Sequence, residues 1–320
     1  MRSPAYLSFL KNLLRIIGLA MLIISVQGCS TVRLAYNQAP LAAYWYLDDY
    51  VDFSDEQKPA VKAALNELHH WHRQTQLPAY IETLQKMQRQ MTEPLTPARA
   101  CDFYQEVQER LMMSLEGAVR FDQSPAASFS LQKLATLDRN QLLNMERKFA
   151  KSNVKYREDY LSGSPRQVAE KRLEQAVSRT ESLYGKLDER QQALLQTRLD
   201  QTGFDPELAY AERLRRQQDM LQALRSLASG AVLASGAAGT AAMTPAAAKT
   251  VAAGPALEGV FSRAVFSPDI SFREHARKIR TQNCQTFAEV HNSTTPAQRQ
   301  KALARLQGYE QDLRALLRHQ

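Results

Sequence analysis

The chain has 320 residues, of which 44% are hydrophobic, 23% charged and 8% aromatic, and its formal net charge is +8. That length suffices for one large domain or two ordinary ones with a hydrophobic core. The composition excludes a collagen-like chain, a wholly disordered chain and a disulfide-dense miniprotein.

Residues 1–28 have the pattern of a secretion signal. Three basic residues accompany an almost wholly apolar run over 16–26, which is shorter than the about 20 apolar residues of a membrane-spanning helix. The run ends in Val26-Gln27-Gly28-Cys29 and closely resembles a bacterial lipobox. The resemblance implies cleavage before Cys29, with diacylglycerol on its sulfur and a fatty acid such as palmitate on its new amine. A signal peptide without lipid, or a short membrane anchor, is the alternative.

The lipid anchor expected at Cys29 indicates where the protein works. Ser30 follows Cys29, whereas an Asp there would resemble the inner-membrane retention signal. We therefore expect residues 29–320 to form a periplasmic domain anchored to the outer membrane, with no cofactor besides the covalent lipid. Cleavage removes three of the 41 basic residues, leaving 38 against 33 acidic ones. So weak an excess, without a basic cluster, argues against nucleic acid as a partner.

Two cysteines remain, Cys101 and Cys284. An even number of cysteines in an oxidising compartment favours a disulfide between them. The bridge would close a loop of more than 180 residues and constrain the unfolded chain by about 4–5 kcal/mol in the entropic description. Two buried free thiols or a redox pair are the alternatives, although a redox pair lacks the usual CxxC spacing.

Apolar residues recur at intervals of three and four along most of the chain, which predicts an all-α fold, an elongated multi-helix bundle. Pro78 is expected to kink or break one of these helices. The clearest stripes are Val61–Leu65–Leu68, Ile81–Leu84–Met87–Met91, Tyr104–Val107–Leu111–Leu115, Leu208–Ala211–Leu214–Leu221–Leu224, Phe272–Ala276–Ile279–Asn283–Phe287–Val290 and Leu306–Tyr309–Leu313–Leu316.

Several helix starts carry a capping box, in which a cap oxygen precedes a glutamine by three residues. The boxes are Ser54–Gln57, Ser164–Gln167, Asp188–Gln191 and Thr295–Gln298, with a partial copy at Thr96–Arg99. The pattern also resembles, more weakly, the LTxxQ signature of Spy/CpxP-type periplasmic helical chaperones. Ordinary capping is the simpler interpretation.

One stretch differs in composition from the rest. Residues 226–259 are mostly Ala, Gly, Ser and Thr with few large side chains, and such a segment buries too little apolar surface to offset its ordering entropy. We expect a flexible linker or surface insertion at about 229–257, inside a single domain.

A family resemblance extends over most of the mature chain. It begins with Arg33-Leu-Ala-Tyr36-Asn37 and Trp45-Tyr-Leu47-Asp48-Asp49-Tyr50-Val-Asp52, continues through Trp71-His72-Arg73 and Leu77-Pro78, and returns in Asn283-Cys284 and Thr295-Pro296-Ala-Gln298-Arg299. These segments resemble DUF6279, a family of uncharacterised proteobacterial lipoproteins. The resemblance implies a lipoprotein of helical build and transfers no activity. The alanine-rich insertion departs from the family pattern.

One group of polar residues is a candidate metal site. His69 and His72 lie three residues apart on one helical face and could share a metal ion with a carboxylate from Asp48 or Asp49. Solvated histidines and an acidic turn are the simpler interpretation, so no metal site is predicted there.

Aromatic residues cluster just after the expected anchor, and Tyr and Trp favour membrane interfaces and binding surfaces. Packing of these rings into the helical core is the alternative. The candidate binding surface comprises Trp45, Tyr46, Asp48, Asp49, Tyr50 and Trp71.

The sequence therefore favours a non-enzymatic binding or envelope-maintenance protein, chaperone-like in action, whose partner is an envelope protein or an unfolded client. A metal-dependent enzyme using Asp48, Asp49, His69 and His72 is one alternative. A lipid- or peptidoglycan-binding protein is the other.

Overall fold

The computed structural model describes residues 30–122, 137–229 and 258–318, together with Ala256. Within these ranges the chain is helical with short connections and has no strand, so the predicted all-α fold is confirmed. The predicted signal peptide over 1–28, the lipidation site Cys29 and nearly all of the predicted insertion at about 229–257 lie outside the described residues.

Eleven helices account for most of the described chain, with a further eight-residue helical segment over 258–265. They are α1 Thr31–Asn37, α2 Ala39–Val51, α3 Gln57–Thr75, α4 Leu77–Gln90, α5 Pro97–Asp122, α6 Arg139–Tyr160, α7 Pro165–Tyr184, α8 Glu189–Gln201, α9 Pro206–Ser229, α10 Ile270–Ser293 and α11 Pro296–Arg318.

The first and last described helices pack together in the bundle. Helix α11 packs most extensively along α4 and also contacts α1, α3 and α7, while α10 packs along α5. Helix α2 lies against α3 and α6. Within the described ranges, no helix is both long and apolar enough to cross a membrane.

Among the described residues, the buried apolar side chains form four separate clusters. The largest joins α2, α3, α6 and α9 around residues such as Tyr44, Val61, Met145 and Leu224. A second, around Leu95 and Phe103, includes Cys284 of α10. The other two lie where α7 meets α11 and where α8 meets α10.

All four predicted capping boxes form. In each, the side-chain oxygen of the cap residue accepts a hydrogen bond from the backbone amide of the glutamine. The glutamine Oε1 in turn accepts one from the backbone amide of the cap residue. These bonds are 2.8–3.4 Å long at Ser54, Ser164, Asp188 and Thr295. A fifth box, not predicted, joins Asp138 and Gln141 at the start of α6.

Four of the capping glutamines also pair across the fold. Gln141 Nε2 donates to Gln57 Oε1 at 2.7 Å and to the Asp52 carbonyl at 3.1 Å. Gln191 and Gln298 donate to each other at 2.9 Å in both directions. The amino-terminal ends of α3 and α6, and those of α8 and α11, are thereby joined by buried polar contacts that satisfy otherwise unpaired amides.

Two sequence expectations are modified by the packing. Helix α3 ends at Thr75 and α4 begins at Leu77, so the break predicted at Pro78 falls two residues earlier, at Gln76. On α5, Phe103 is buried in the second cluster. The predicted apolar stripe that begins at the next residue is not buried, since Tyr104, Val107 and Leu111 are about half exposed.

Candidate functional site

A disulfide joins α5 to α10. Cys101 and Cys284 are bonded, with 5.2 Å between their Cα atoms and a sequence separation of 183. Both cysteines belong to the cluster around Leu95 and Phe103. The bridge therefore links two helices that are far apart in sequence. It is the pairing that the sequence predicted.

A cleft of about 1080 Å³ lies between α5, α10 and the connection that precedes α10. Its apolar side chains are exposed to an unusual degree for residues of this size: Met113 is 57% exposed, Phe266 58% and Ile270 62%. Tyr104, also in the cleft, is about half exposed. Apolar residues that the fold leaves uncovered within a concavity mark a candidate binding site.

Charged groups surround these apolar side chains. Arg273, Arg277 and Arg280 line the cleft, and within the described part of the chain none of the three forms an ion pair. Arg280 donates to the side-chain oxygen of Gln108 and its guanidinium lies 5.8 Å from the Tyr104 ring centre. Three glutamates also line the cleft, namely Glu109, Glu116 and Glu274.

A buried carboxylate is hydrogen-bonded to two residues of the cleft wall. Glu212 of α9 accepts hydrogen bonds from Arg215 at 2.8 Å, from Arg216 at 2.7 Å and from the Ser267 hydroxyl at 2.9 Å, and Arg216 and Ser267 are cleft residues. Burial by itself would raise the pKa of Glu212, but these three donors outweigh it and hold the pKa below its ordinary value. The charged form is thus built into the cleft wall.

The predicted binding surface is divided among several places. Trp45 and Tyr46 are 61% and 65% exposed on α2. Tyr50, one turn later, packs on Phe149 of α6 with 5.6 Å between ring centres. Trp71 lies against α5, so close to Gly117 that a Cβ there would be 2.7 Å from the indole. Of the predicted aromatics, Trp45 and Tyr46 alone lie together at the surface.

The two aspartates of the predicted surface have structural partners. Asp48 accepts a hydrogen bond from the Phe53 amide at 3.0 Å and one from the Tyr44 hydroxyl at 3.3 Å, which stabilises the turn after α2. Asp49 forms an ion pair with Lys148 of α6. Neither carboxylate contacts the two histidines.

His69 and His72 are brought together around Tyr36 of α1. Both ring nitrogens of His72 are hydrogen-bonded, to the Tyr36 hydroxyl at 2.9 Å and the Tyr80 hydroxyl at 3.2 Å. The His69 ring lies 4.5 Å from that of Tyr36. Burial lowers the pKa of both histidines and raises the pKa of Tyr36 to about 12.

In the described ranges, no group of three or more His, Cys, Asp or Glu side chains has the arrangement of a metal site. The histidine pair is packed against Tyr36 and Tyr80. Its hydrogen bonds tie α1 to α3 and α4.

The cleft was missed by sequence reasoning. The stripe Tyr104–Val107–Leu111 on α5 signalled an apolar face, but periodicity does not tell whether another element covers that face. The other wall comes from residues more than 150 positions later. A second signal was present in Phe266 and Ile270, large apolar residues on either side of a Ser-Pro-Asp connection.

The fold and cleft define an all-α, disulfide-linked protein with an open cleft lined by apolar and charged side chains. The chain belongs to DUF6279, a family of unknown function, whose match covers residues 49–233, more than half of the sequence. No curated protein and no solved structure matches it significantly.

Proposed function

We propose that this protein is an outer-membrane lipoprotein, anchored through Cys29, whose periplasmic domain binds apolar segments of envelope polypeptides in the α5–α10 cleft. The lipobox-like segment that ends at Cys29 supports the location. The observation that carries the binding role is the cleft, in which exposed apolar side chains stand beside arginines without acidic partners in the described chain. The role is non-enzymatic and chaperone-like.

The form of the cleft favours a polypeptide over a small molecule. A small-molecule site encloses most of its ligand's surface, whereas Met113, Phe266 and Ile270 are each more than half exposed in the free protein. Between Ile270 and Arg280, α10 runs for about 15 Å, enough to contact several residues of a bound segment. This geometry is that of a groove which receives an amphipathic segment.

The arginines of the cleft supply hydrogen-bond donors for the carbonyl groups of a bound polypeptide. A bound segment brings carbonyl groups that must remain hydrogen-bonded when water is displaced. Arg273 already donates to two backbone carbonyls of the chain, those of Ser267 and Pro268. Guanidinium groups combine this donor capacity with apolar contact, so they suit a mixed surface.

The test is suppression of aggregation by the periplasmic domain from Ser30 onward, added to an outer-membrane β-barrel protein diluted from urea. We expect the domain to slow light-scattering growth and the double variant Met113→Gln/Ile270→Gln to lose much of this effect. Both side chains are exposed, so the variant retains its fold. Val154→Gln, an exposed position on α6, is the matched control.

Two outcomes would contradict the proposal in different ways. If the parent domain neither slows aggregation nor retains an envelope partner after cross-linking, the binding role is wrong. If the double variant acts like its parent, binding occurs elsewhere on the surface and the cleft is not the site.

A further inference from the structure

Helices α1 and α2 expose an apolar stripe that the cleft does not include. It consists of Leu34, Leu41, Trp45 and Tyr46, which are 48–65% exposed. Leu34, Leu41 and Trp45 follow a spacing of seven and four residues, so they share one face of a helix. The hydrogen bonds from the Gln38 amide to the Leu34 carbonyl and from the Ala42 amide to the Gln38 carbonyl carry the helical pattern across the junction of α1 and α2.

The opposite side of the same helices is fixed to the bundle. Arg33 forms an ion pair with Asp312 of α11, and the Ser30 hydroxyl donates to the same carboxylate. Tyr44 and Val51 are almost fully buried in the largest cluster. The stripe is therefore held outward by packing on its reverse side. A helix that is apolar on both sides requires an apolar environment on the side that the protein does not cover.

The stripe carries no charge. From Leu34 to Leu47 the sequence has no Asp, Glu, Lys, Arg or His. Two cations contact the side of these helices that packs on the bundle: Lys62 Nζ lies 4.4 Å from the ring centre of the buried Tyr44, and the Arg73 guanidinium 5.4 Å from that of Tyr36. An uncharged apolar face that includes Trp and Tyr matches the interfacial region of a phospholipid bilayer.

The position of the stripe in the chain points to the same environment. The apolar run over 16–26 ends three residues before Cys29, and α1 begins two residues after it, at Thr31. Whether that run is cleaved and replaced by acyl chains or retained as an anchor, the chain leaves the bilayer next to Ser30. The helix carrying Leu34 thus starts within about 10 Å of the point where the chain emerges.

We propose that the α1–α2 stripe is a second membrane contact, which inserts Leu34, Leu41, Trp45 and Tyr46 into the phospholipid interface and holds the domain in one orientation. This inference rests on the anchoring in the proposed function and is independent of the cleft. A lipid chain alone leaves a domain free to rotate, whereas two contacts of this kind fix the surface that faces away from the membrane.

The protein has two tryptophans, Trp45 in the stripe and Trp71 packed against Gly117. The full-length lipidated protein is extracted from its membranes and reconstituted into phosphatidylethanolamine–phosphatidylglycerol vesicles whose acyl chains carry bromine near the headgroup. Trp71→Phe leaves Trp45 as the reporter, and Trp45→Phe leaves Trp71 as its internal control. We expect bromine to quench Trp45 at least about twofold more than Trp71, because an interfacial helix inserts its apolar face about 5–10 Å into the lipid.

The possible results separate this inference from the proposed function. A protein that fails to associate with vesicles contradicts both the anchor and the stripe. If the protein associates but Trp45 is quenched no more than Trp71, or the chain self-associates through the stripe and shields Trp45, the inference alone is overturned. Leu34→Gln/Leu41→Gln in the Trp71→Phe background should reduce the quenching of Trp45, while Leu143→Gln, exposed on α6, should leave it unchanged.

Discussion

The α1–α2 stripe and the α5–α10 cleft are both exposed apolar surfaces of the described domain, and their chemistry differs. The α1–α2 stripe has no charged residue between Leu34 and Leu47. The α5–α10 cleft places comparable apolar exposure among arginines and glutamates. The stripe lies beside the expected anchor on a helix without a disulfide, whereas the cleft walls are covalently joined through Cys101 and Cys284.

The difference agrees with the two partners proposed above, a bilayer for the stripe and a polypeptide for the cleft. A bilayer interior has no partner for a charge, so a surface that enters lipid is expected to exclude charges. A polypeptide brings backbone carbonyls and amides that need hydrogen bonds, so a surface that binds one benefits from donors beside its apolar contacts. Under the two proposals above, one surface orients the domain and the other binds a polypeptide, so we expect separate variants to affect each.

Removal of the disulfide should have the largest effect and act on the cleft. The Cys101→Ser/Cys284→Ser variant loses a cross-link over 183 residues, which corresponds to about 4–5 kcal/mol of unfolding free energy in the entropic description. Urea unfolding with and without reductant measures it. Trp45 quenching in vesicles should change little in the folded variant. Equal stability of the parent protein in oxidising and reducing buffer would contradict the expectation.

Loss of the Glu212 carboxylate should come next. Glu212→Gln leaves Arg215 and Arg216 without their shared anion, and we expect about 2–3 kcal/mol of destabilisation together with weaker client binding, because Arg216 and Ser267 lose their positions in the cleft. The matched control is Glu170→Gln, since the ion pair of Glu170 with Arg166 is largely exposed and should contribute less than about 1 kcal/mol. Similar effects of both substitutions on thermal unfolding would show that Glu212 has no special role.

Acidification should lower the folding stability of the helices that carry both surfaces, because histidines are buried beside them. His291 is fully buried, with Nδ1 accepting from the Tyr184 hydroxyl and Nε2 donating to the Glu93 carbonyl, both at 2.8 Å. Burial lowers the pKa of His291 and His72 below the ordinary 6.5, so the unfolded chain takes up protons that the folded chain resists. The stability that these neutral histidines contribute is fully present above about pH 6.5, the ordinary pKa. It is lost as the pH falls from there through the lowered pKa of the folded protein.

Hydrogen exchange can locate this acid effect. His291→Gln should reduce the pH dependence of protection in α10, the helix that lines the cleft. His72→Gln should reduce it in α1, which begins the stripe. His70, an exposed neighbour on α3, supplies the control His70→Gln. Unchanged pH dependence in both helices after the two substitutions would contradict this assignment.

The parts of the fold that sequence could predict are those with a local signal. Helix periodicity and the capping boxes depend on residues within four positions of each other, and the disulfide needed only two remaining cysteines. The box at Asp138–Gln141 had the same local signal and was overlooked. The pairing of Gln191 with Gln298 had none, because it joins helix starts 107 residues apart.

The candidate sites show the same limit. The spacing of His69 and His72 placed them correctly on one face, but it did not reveal that the Tyr36 and Tyr80 hydroxyls occupy both nitrogens of His72. The cleft combines α5 with residues after position 260, so its walls have no common local pattern. The sequence assigned Trp45 and Trp71 to the same candidate surface. Long-range packing leaves Trp45 exposed and places Trp71 against Gly117.

The smallest expected effects on stability provide the sharpest comparison of the two surfaces. Leu41→Gln and Ile270→Gln each change an exposed apolar side chain, so each should alter the unfolding free energy by no more than about 0.5 kcal/mol. Ile270→Gln should lower suppression of aggregation and leave Trp45 quenching intact, whereas Leu41→Gln should do the reverse. If either variant impairs both readouts, the stripe and the cleft act as one surface, because a bound polypeptide would then contact the same face that meets the bilayer.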